Sequence, residues 1–441
     1  MLVSRGRSMK VEAACQQQRK GLIKSSTIVL LAFATAYFAR IIEALGVPAA
    51  INFLHFATVP LACGIALVKA RSKSQRQLTI VQEILLGLLI FFILICASGL
   101  LNNAGLINVV LNYLMLTEPF LLIVAIACIP MSLTSTEKLH CWLVRFGFIN
   151  LLLALLQRFV LNLHLQEGLE DNIKGVFLNQ GSGHVVGASV SLTFGTYYLC
   201  IAKERPLWLR ASVFIATIVH VLVSDAKQVL AVFLVALVLL FCTKLKDITE
   251  FVKYSIGAIL AVFIAVWLAN NGFLAWSVDM TLEGMKLKLV GFSIIPSFYH
   301  SPLNPLLGLG PGHTIGRLGG WMLRDYWDLL SPLGATQLSV SEAVWSVVGA
   351  SWFGDKSSMF SPFFGWAGIW GDLGLLGLGA YFYLAFLVWC RLCSDDLSRF
   401  FLLTIFVFGL IFTQIEEPGY MLFMAILVGL QWQTNRLRRL S

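Results

Sequence analysis

Charged residues are scarce in this 441-residue chain: Asp, Glu, Lys and Arg together make up 12% of it. An ordinary soluble domain carries about 25%. With 58% hydrophobic residues and a mean hydropathy of +0.82, the apolar surface is too large for one water-soluble core. Short alternating strands are also missing, which argues against an outer-membrane barrel. A polytopic helical membrane protein is the natural solution, because helices satisfy their own backbone groups in lipid.

Other absences narrow the chemistry. No lysine stands where a phosphate-binding Walker loop needs one. There is no HExxH, no GxSxG and no paired-aspartate pattern typical of metal-dependent sugar transfer, so neither a catalytic metal nor a cofactor is expected. None of the nine cysteines lies in 274–362, so an external disulfide framework is not expected. Cys390 and Cys393 form a CxxC without a second pair or a nearby histidine. No cleavable signal peptide is evident, and no repeat relates the two halves. The net charge of +9 belongs to cytoplasmic loops and not to nucleic-acid binding.

What is present is a recurrence of apolar runs of about 20 residues, the length a bilayer demands. Spans are expected at about 26–45, 48–69, 79–100, 107–131, 141–162, 184–202, 208–223, 228–243, 254–273, 368–390, 400–414 and 419–433. The fourth carries Glu118-Pro119, read as an interruption whose acid satisfies the kink. Arg40 and Glu43, three apart near the outer end of the first span, are placed to pair. Of the 32 Lys and Arg, 23 fall in the tails and the loops assigned to the cytoplasm. That supports twelve transmembrane helices with both termini inside. The organisation is a basic tail at 1–25, nine helices in 26–273, a large outer loop at 274–362 with short helices, three helices in 363–434 and a basic tail at 435–441.

The outer stretch concentrates the unusual residues. Trp276, Trp321, Trp327, Trp345, Trp352, Phe353 and Phe360 suit a membrane interface or a groove for sugar rings. Lys286, Lys288, His300, His313 and Arg317 give a cationic excess on a side where topology does not require one. Such a cluster suits an anionic ligand, a lipid headgroup or a diphosphate. Lys227, in the tight turn SDAKQ (224–228), is similar, with Asp225 as an available partner.

Four segments then carry a resemblance: GVFLNQGSGH (175–184), SDAKQVLAVFLVAL (224–237), NPLLGLGPGHT (304–314) and WGDLGLLGLGAYFYLAFL (370–387). Their order, with one large outer loop, resembles the O-antigen ligase/polymerase superfamily of bacterial envelope proteins. The resemblance implies an all-α protein of the bacterial inner membrane that transfers a glycan from a polyprenyl-diphosphate-linked donor. The acceptor would be a lipid-linked repeat unit (polymerase), or lipid A core or another acceptor (ligase). The bilayer, and other polysaccharide-assembly proteins, would be its neighbours. The family's cations, usually arginines, match Lys227 and Lys288 here. The ligase histidine position, about eleven residues before Gly374, falls at Phe363, so the chain resembles a polymerase more than a ligase.

The expected chemistry is metal-independent glycosyl transfer. Lys227, Lys286, Lys288, Arg317 and Arg324 would face the leaving diphosphate, and Trp321 and Trp327 the glycan. His313, Asp325, Asp328 or Glu342 would take the acceptor's proton. The rival classes are a glycan flippase or solute transporter, and an envelope-assembly partner without activity.

Overall fold

The computed structural model describes residues 25–69, 75–129, 131–165, 172–179, 182–243, 252, 255–257, 259–260, 278–351 and 364–440. Among them every regular element is helical and none is a strand. The long helices are α1 (Ser25–Tyr37), α2 (Ala39–Ala44), α3 (His55–Val68), α4 (Gln75–Leu101), α5 (Leu106–Cys128), α6 (Leu133–Phe159) and α7 (Gly183–Ile201). They continue with α8 (Leu207–Val223), α9 (Lys227–Cys242), α10 (Val278–Ile294), α11 (Val340–Gly349), α12 (Gly365–Arg391), α13 (Asp396–Ile411) and α14 (Pro418–Leu440). Six helical segments are long and apolar enough to cross a membrane: Ala49–Val68, Gln77–Leu101, Leu106–Cys128, Leu133–Phe159, Gly183–Ile201 and Gly365–Arg391.

Which helices sit inside follows from how completely they are apolar. Every residue from Gly419 to Leu430 of α14 is buried, and so is most of α5, which packs against it. Around this axis Phe33 and Tyr37 of α1 meet Phe146 of α6, Phe177 and Phe423 of α14, with ring centroids 5.6–6.1 Å apart. Such aromatic pairs add about 0.5–1.5 kcal/mol each beyond their burial. On the outside, Leu86, Leu89 and Ile93 of α4, Leu152 and Leu156 of α6, and Leu375 and Phe386 of α12 are exposed. Apolar side chains turned outward in this way are stable against lipid and not against water.

Two expectations are corrected. The first apolar run does not make one helix, because the chain breaks at Phe38 and α2 turns away as a short amphipathic piece. The polar pair explains the break: Arg40 binds Glu43 at 3.0 Å and is drawn to Tyr326 of the outer stretch. Nor does Glu118-Pro119 interrupt the fourth run, since α5 passes through Pro119. Proline deletes one backbone rung, that to the Met115 carbonyl, and the buried neighbours of α5 hold the helix whole around it.

The basic tail, most of the run at 254–273, and Trp276, Trp352, Phe353, Phe360 and Phe363 lie outside the described residues. What is described of the outer stretch is no separate domain. Ile295, Leu309, Ile315, Val340 and Val344 share one apolar cluster with Phe364 and Ala367 at the start of α12. The stretch is therefore a cap built onto one end of the bundle.

Candidate functional site

Two polar clusters occupy this end. The first joins NPLLGLGPGHT to WGDLGLLGLG, two segments about sixty residues apart. Asp372, buried on α12, accepts from the backbone N–H of Gly312 (2.7 Å) and of Thr314 (2.8 Å), from the Thr314 hydroxyl (2.6 Å) and from Asn112 of α5 (3.2 Å). The loop answers with its own backbone: Leu309 and Gly310 donate to the carbonyls of Gly371 and Asp372. The two chains touch at Gly308 and Gly374, at φ +73° and +65°, where a Cβ on either would run into the other's backbone. Glycine alone fits both the left-handed turn and the approach. Asn304 ties the loop's start to Asn102 (2.8 Å) and to the Gly308 carbonyl (2.7 Å). His313 closes its end: Nδ1–H donates to the Leu309 carbonyl at 2.9 Å and Nε2 accepts from the Thr336 hydroxyl at 2.7 Å. Burial pushes the His313 imidazole down, against the pull of the Leu309 carbonyl, so the ring is neutral at neutral pH.

Three residues beyond Thr314 the chain delivers Arg317 into the second cluster. This is a cleft between α1, α2, α3, α5, the start of α14 and the helical turn after Arg317. Its backbone N–H donates to Glu416 Oε2 at 2.7 Å and its guanidinium pairs with Glu417 through Nη1. The guanidinium also lies over the Trp321 ring, 4.6 Å from its centre. Arg40 reaches the same cleft from α2, bonded through Nη1 to Glu43 and to the Tyr326 hydroxyl (3.1 Å). Asn52 donates to the same two groups. Deeper in, His55 of α3 meets Glu118 of α5, Nδ1 lying 2.8 and 2.9 Å from the two carboxylate oxygens.

This cleft is less completely satisfied than the loop lock. Neither guanidinium makes a hydrogen bond to a described residue beyond those just named, so most of their N–H groups have no acceptor among the described residues. Glu416 Oε1 and Asn52 Oδ1 are buried without a partner. Burial pushes Arg317 down to about 9, with neighbouring Arg40 adding to the effect and Glu416 and Tyr326 opposing it, so it stays a cation at pH 7. Burial pushes Glu416 up to about 8, against the Arg317 N–H, so it holds its proton at pH 7. The open room is about 30 Å³, which suits one or two waters and not a sugar ring.

No protein-family model matches this chain, and no curated protein matches it. The site therefore stands on its geometry.

Of the residues singled out in the sequence, Arg317 and Trp321 line the cleft. The others do not. Lys227 pairs with Asp225 at 2.8 Å in its own turn. Lys288 is buried elsewhere: its Nζ donates to the Ile411 carbonyl at the end of α13 (2.5 Å), between the Phe364 and Phe412 rings. Burial pushes that amine down to about 7. Lys286, Trp327, Asp328 and Glu342 are exposed, and Arg324 pairs with adjacent Asp325 on the surface (3.2 Å). His313 belongs to the loop lock. Spacing along the chain pairs Arg40 with Glu43 and places Glu118 at a kink or near an interface, and it gives neither these residues nor His55 and Asn52 a role in a site. The signal for them was a charged or polar residue inside an apolar run.

Proposed function

We propose that this chain is a membrane glycosyltransferase that acts on a polyprenyl-diphosphate-linked glycan in surface-polysaccharide assembly, as a polymerase. One observation carries the reading: two buried arginines, Arg40 and Arg317, share a cleft with unused N–H donors beside an indole ring. Guanidinium N–H groups in a fixed fork match phosphate oxygens. A ring at 4.6 Å from a guanidinium is placed to stack on a sugar face as well. In the transfer, an acceptor hydroxyl forms the new C–O bond at the anomeric carbon while the bond to the diphosphate breaks. The electrons leave with the diphosphate, and the two arginines face that growing charge. Arg317 must exchange Glu417 for the phosphate, and Tyr326 must release Arg40. Donor entry thus widens the 30 Å³ cleft by shifting the segment that holds Trp321 and Tyr326. Twelve spans, a periplasmic cap and the bacterial inner membrane belong to the same proposal, because the donor is displayed on that side.

The test is transfer by the full chain in lipid vesicles given polyprenyl-diphosphate oligosaccharide and no added metal. A ladder of products is expected. Arg317→Gln lowers the rate about 10²–10³-fold, the usual cost of removing one donor from a developing anion. Product formed only after a second acceptor is added assigns a ligase. Vesicles that make no product with either acceptor overturn the reading.

A further inference from the structure

The transfer just described leaves a proton on the attacking hydroxyl, and none of the acids expected from the sequence lines the cleft. We infer that His55, held by Glu118, is the base that takes this proton. The inference rests on the glycosyl-transfer reading and goes beyond it by assigning the proton acceptor.

Geometry is the warrant. His55 sits at the first turn of α3 and Glu118 in the middle of α5, and both are buried. Apolar neighbours surround them: Phe56 lies 4.2 Å from the imidazole, and Met115 lines the same cleft. A carboxylate that far from water needs a donor on both oxygens, and Nδ1–H lies within 2.9 Å of each. With Glu118 as a carboxylate, that contact places the ring proton on Nδ1. With the proton on Nδ1, the lone pair is on Nε2. His55 lines the cleft, and Nε2 has no hydrogen-bond partner among the described residues. His220 also holds one ring nitrogen, on Ser191, and leaves the other unpartnered, but it does not line the cleft, and His55 does. Here one nitrogen is held and the other is left available beside Arg40 and Arg317.

The step balances. The acceptor hydroxyl oxygen bonds to the anomeric carbon, its proton passes to Nε2, and the diphosphate departs with the bonding pair. The imidazolium formed lies 2.8 Å from the Glu118 carboxylate, which stabilises it. Glu118 is thus a positioning residue and His55 the catalytic one. The other ionisable groups of the cleft are Arg40 and Glu43 on α2, Arg317 and Tyr326 on the cap, and Glu416 and Glu417 before α14.

The experiment uses the full chain in vesicles with polyprenyl-diphosphate oligosaccharide, and reads kcat, KM for the donor, and the pH profile of kcat. His55→Gln is expected to lower kcat about a hundredfold or more, the usual contribution of a positioned base, with KM unchanged. The acid limb of the kcat profile, where His55 would be protonated, disappears in this variant. Glu118→Gln keeps an acceptor for Nδ1–H but removes the charge, so it lowers kcat less and retains the limb at a displaced pH. An unchanged KM shows that each variant is folded. Wild-type activity with an unaltered kcat and profile in His55→Gln overturns the base assignment and leaves the transferase reading standing. A wild-type protein that makes no product in this assay overturns both.

Discussion

The two clusters at the end of the bundle use similar residues in opposite ways. At the loop lock, one carboxylate, Asp372, meets four donors, three from the turn at Gly312–Thr314 and one from Asn112 of α5. In the cleft, several acids and two arginines meet fewer partners than they could take, and two buried oxygens have none. The lock rigidifies: of its buried polar side-chain atoms, Asn112 Oδ1 alone has no partner among the described residues. The cleft keeps unused donors in a low-dielectric setting, where a ligand's charge is felt strongly. The motif residues most visible in the sequence built the scaffold, and the site lies one step beyond them.

The sharpest way to break this contrast is at Asp372. Asp372→Ala leaves several buried donors unpaired and is expected to cost about 3–5 kcal/mol, while Asp372→Asn, which keeps an acceptor, costs less. Thermal melts in detergent measure both. A small loss in the alanine variant would mean that the lock is no more satisfied than the cleft.

Glu416 gives the next largest effect, and its sign is set by pH. Its carboxyl is held at about 8 in the fold against 4.5 in the unfolded chain, so the folded chain binds the extra proton between those values. The stability it contributes is present below about 4.5 and lost as pH rises towards 8. Glu416→Gln removes that slope, so the variant's melting midpoint should gain on the wild type across this window. A gap that does not change with pH would place Glu416 among the satisfied acids.

Lys288 offers the opposite sign. Its amine is held at about 7 against 10.5 unfolded, so its contribution is present above about 10.5 and is lost as pH falls to 7. Lys288→Met should therefore gain on the wild type as pH drops through that window, and no further below it. The same melts at pH 10, 8.5 and 6 read the slope.

Lys227→Ala should do least to stability, under about 1 kcal/mol, because its pair with Asp225 is partly exposed. Transfer at the wild-type rate in this variant would keep the diphosphate contact in the cleft. Lost transfer in a protein of wild-type stability would move that contact to the α8–α9 turn.

Much of the fold was legible in the residues. The runs read at 79–100, 184–202, 208–223, 228–243 and 368–390 became α4, α7, α8, α9 and α12 with ends shifted by at most a few residues. The bend at Phe38 was not legible, because the attraction between Arg40 and Tyr326 spans 286 residues. Arg317 and Trp321 were legible as site candidates from charge and aromaticity on an unusual stretch. His55 and Glu118 were not, because each is a single polar residue in an apolar run and acquires meaning only beside the other.

Composition and periodicity by themselves determined that this chain is helical and apolar enough for a membrane, since lipid leaves a backbone few ways to satisfy its polar groups. They also marked the tight turn at Gly308, whose φ of +73° favours glycine. Only the tertiary structure decided which charges meet. Asp372 was spent on the loop, Lys227 on its neighbour and Lys288 on a helix end, while Arg40, Arg317, His55 and Glu118 converged from four distant segments. Pairing in a buried cleft depends on distances of a few ångströms across the bundle, and spacing along the chain does not encode those distances.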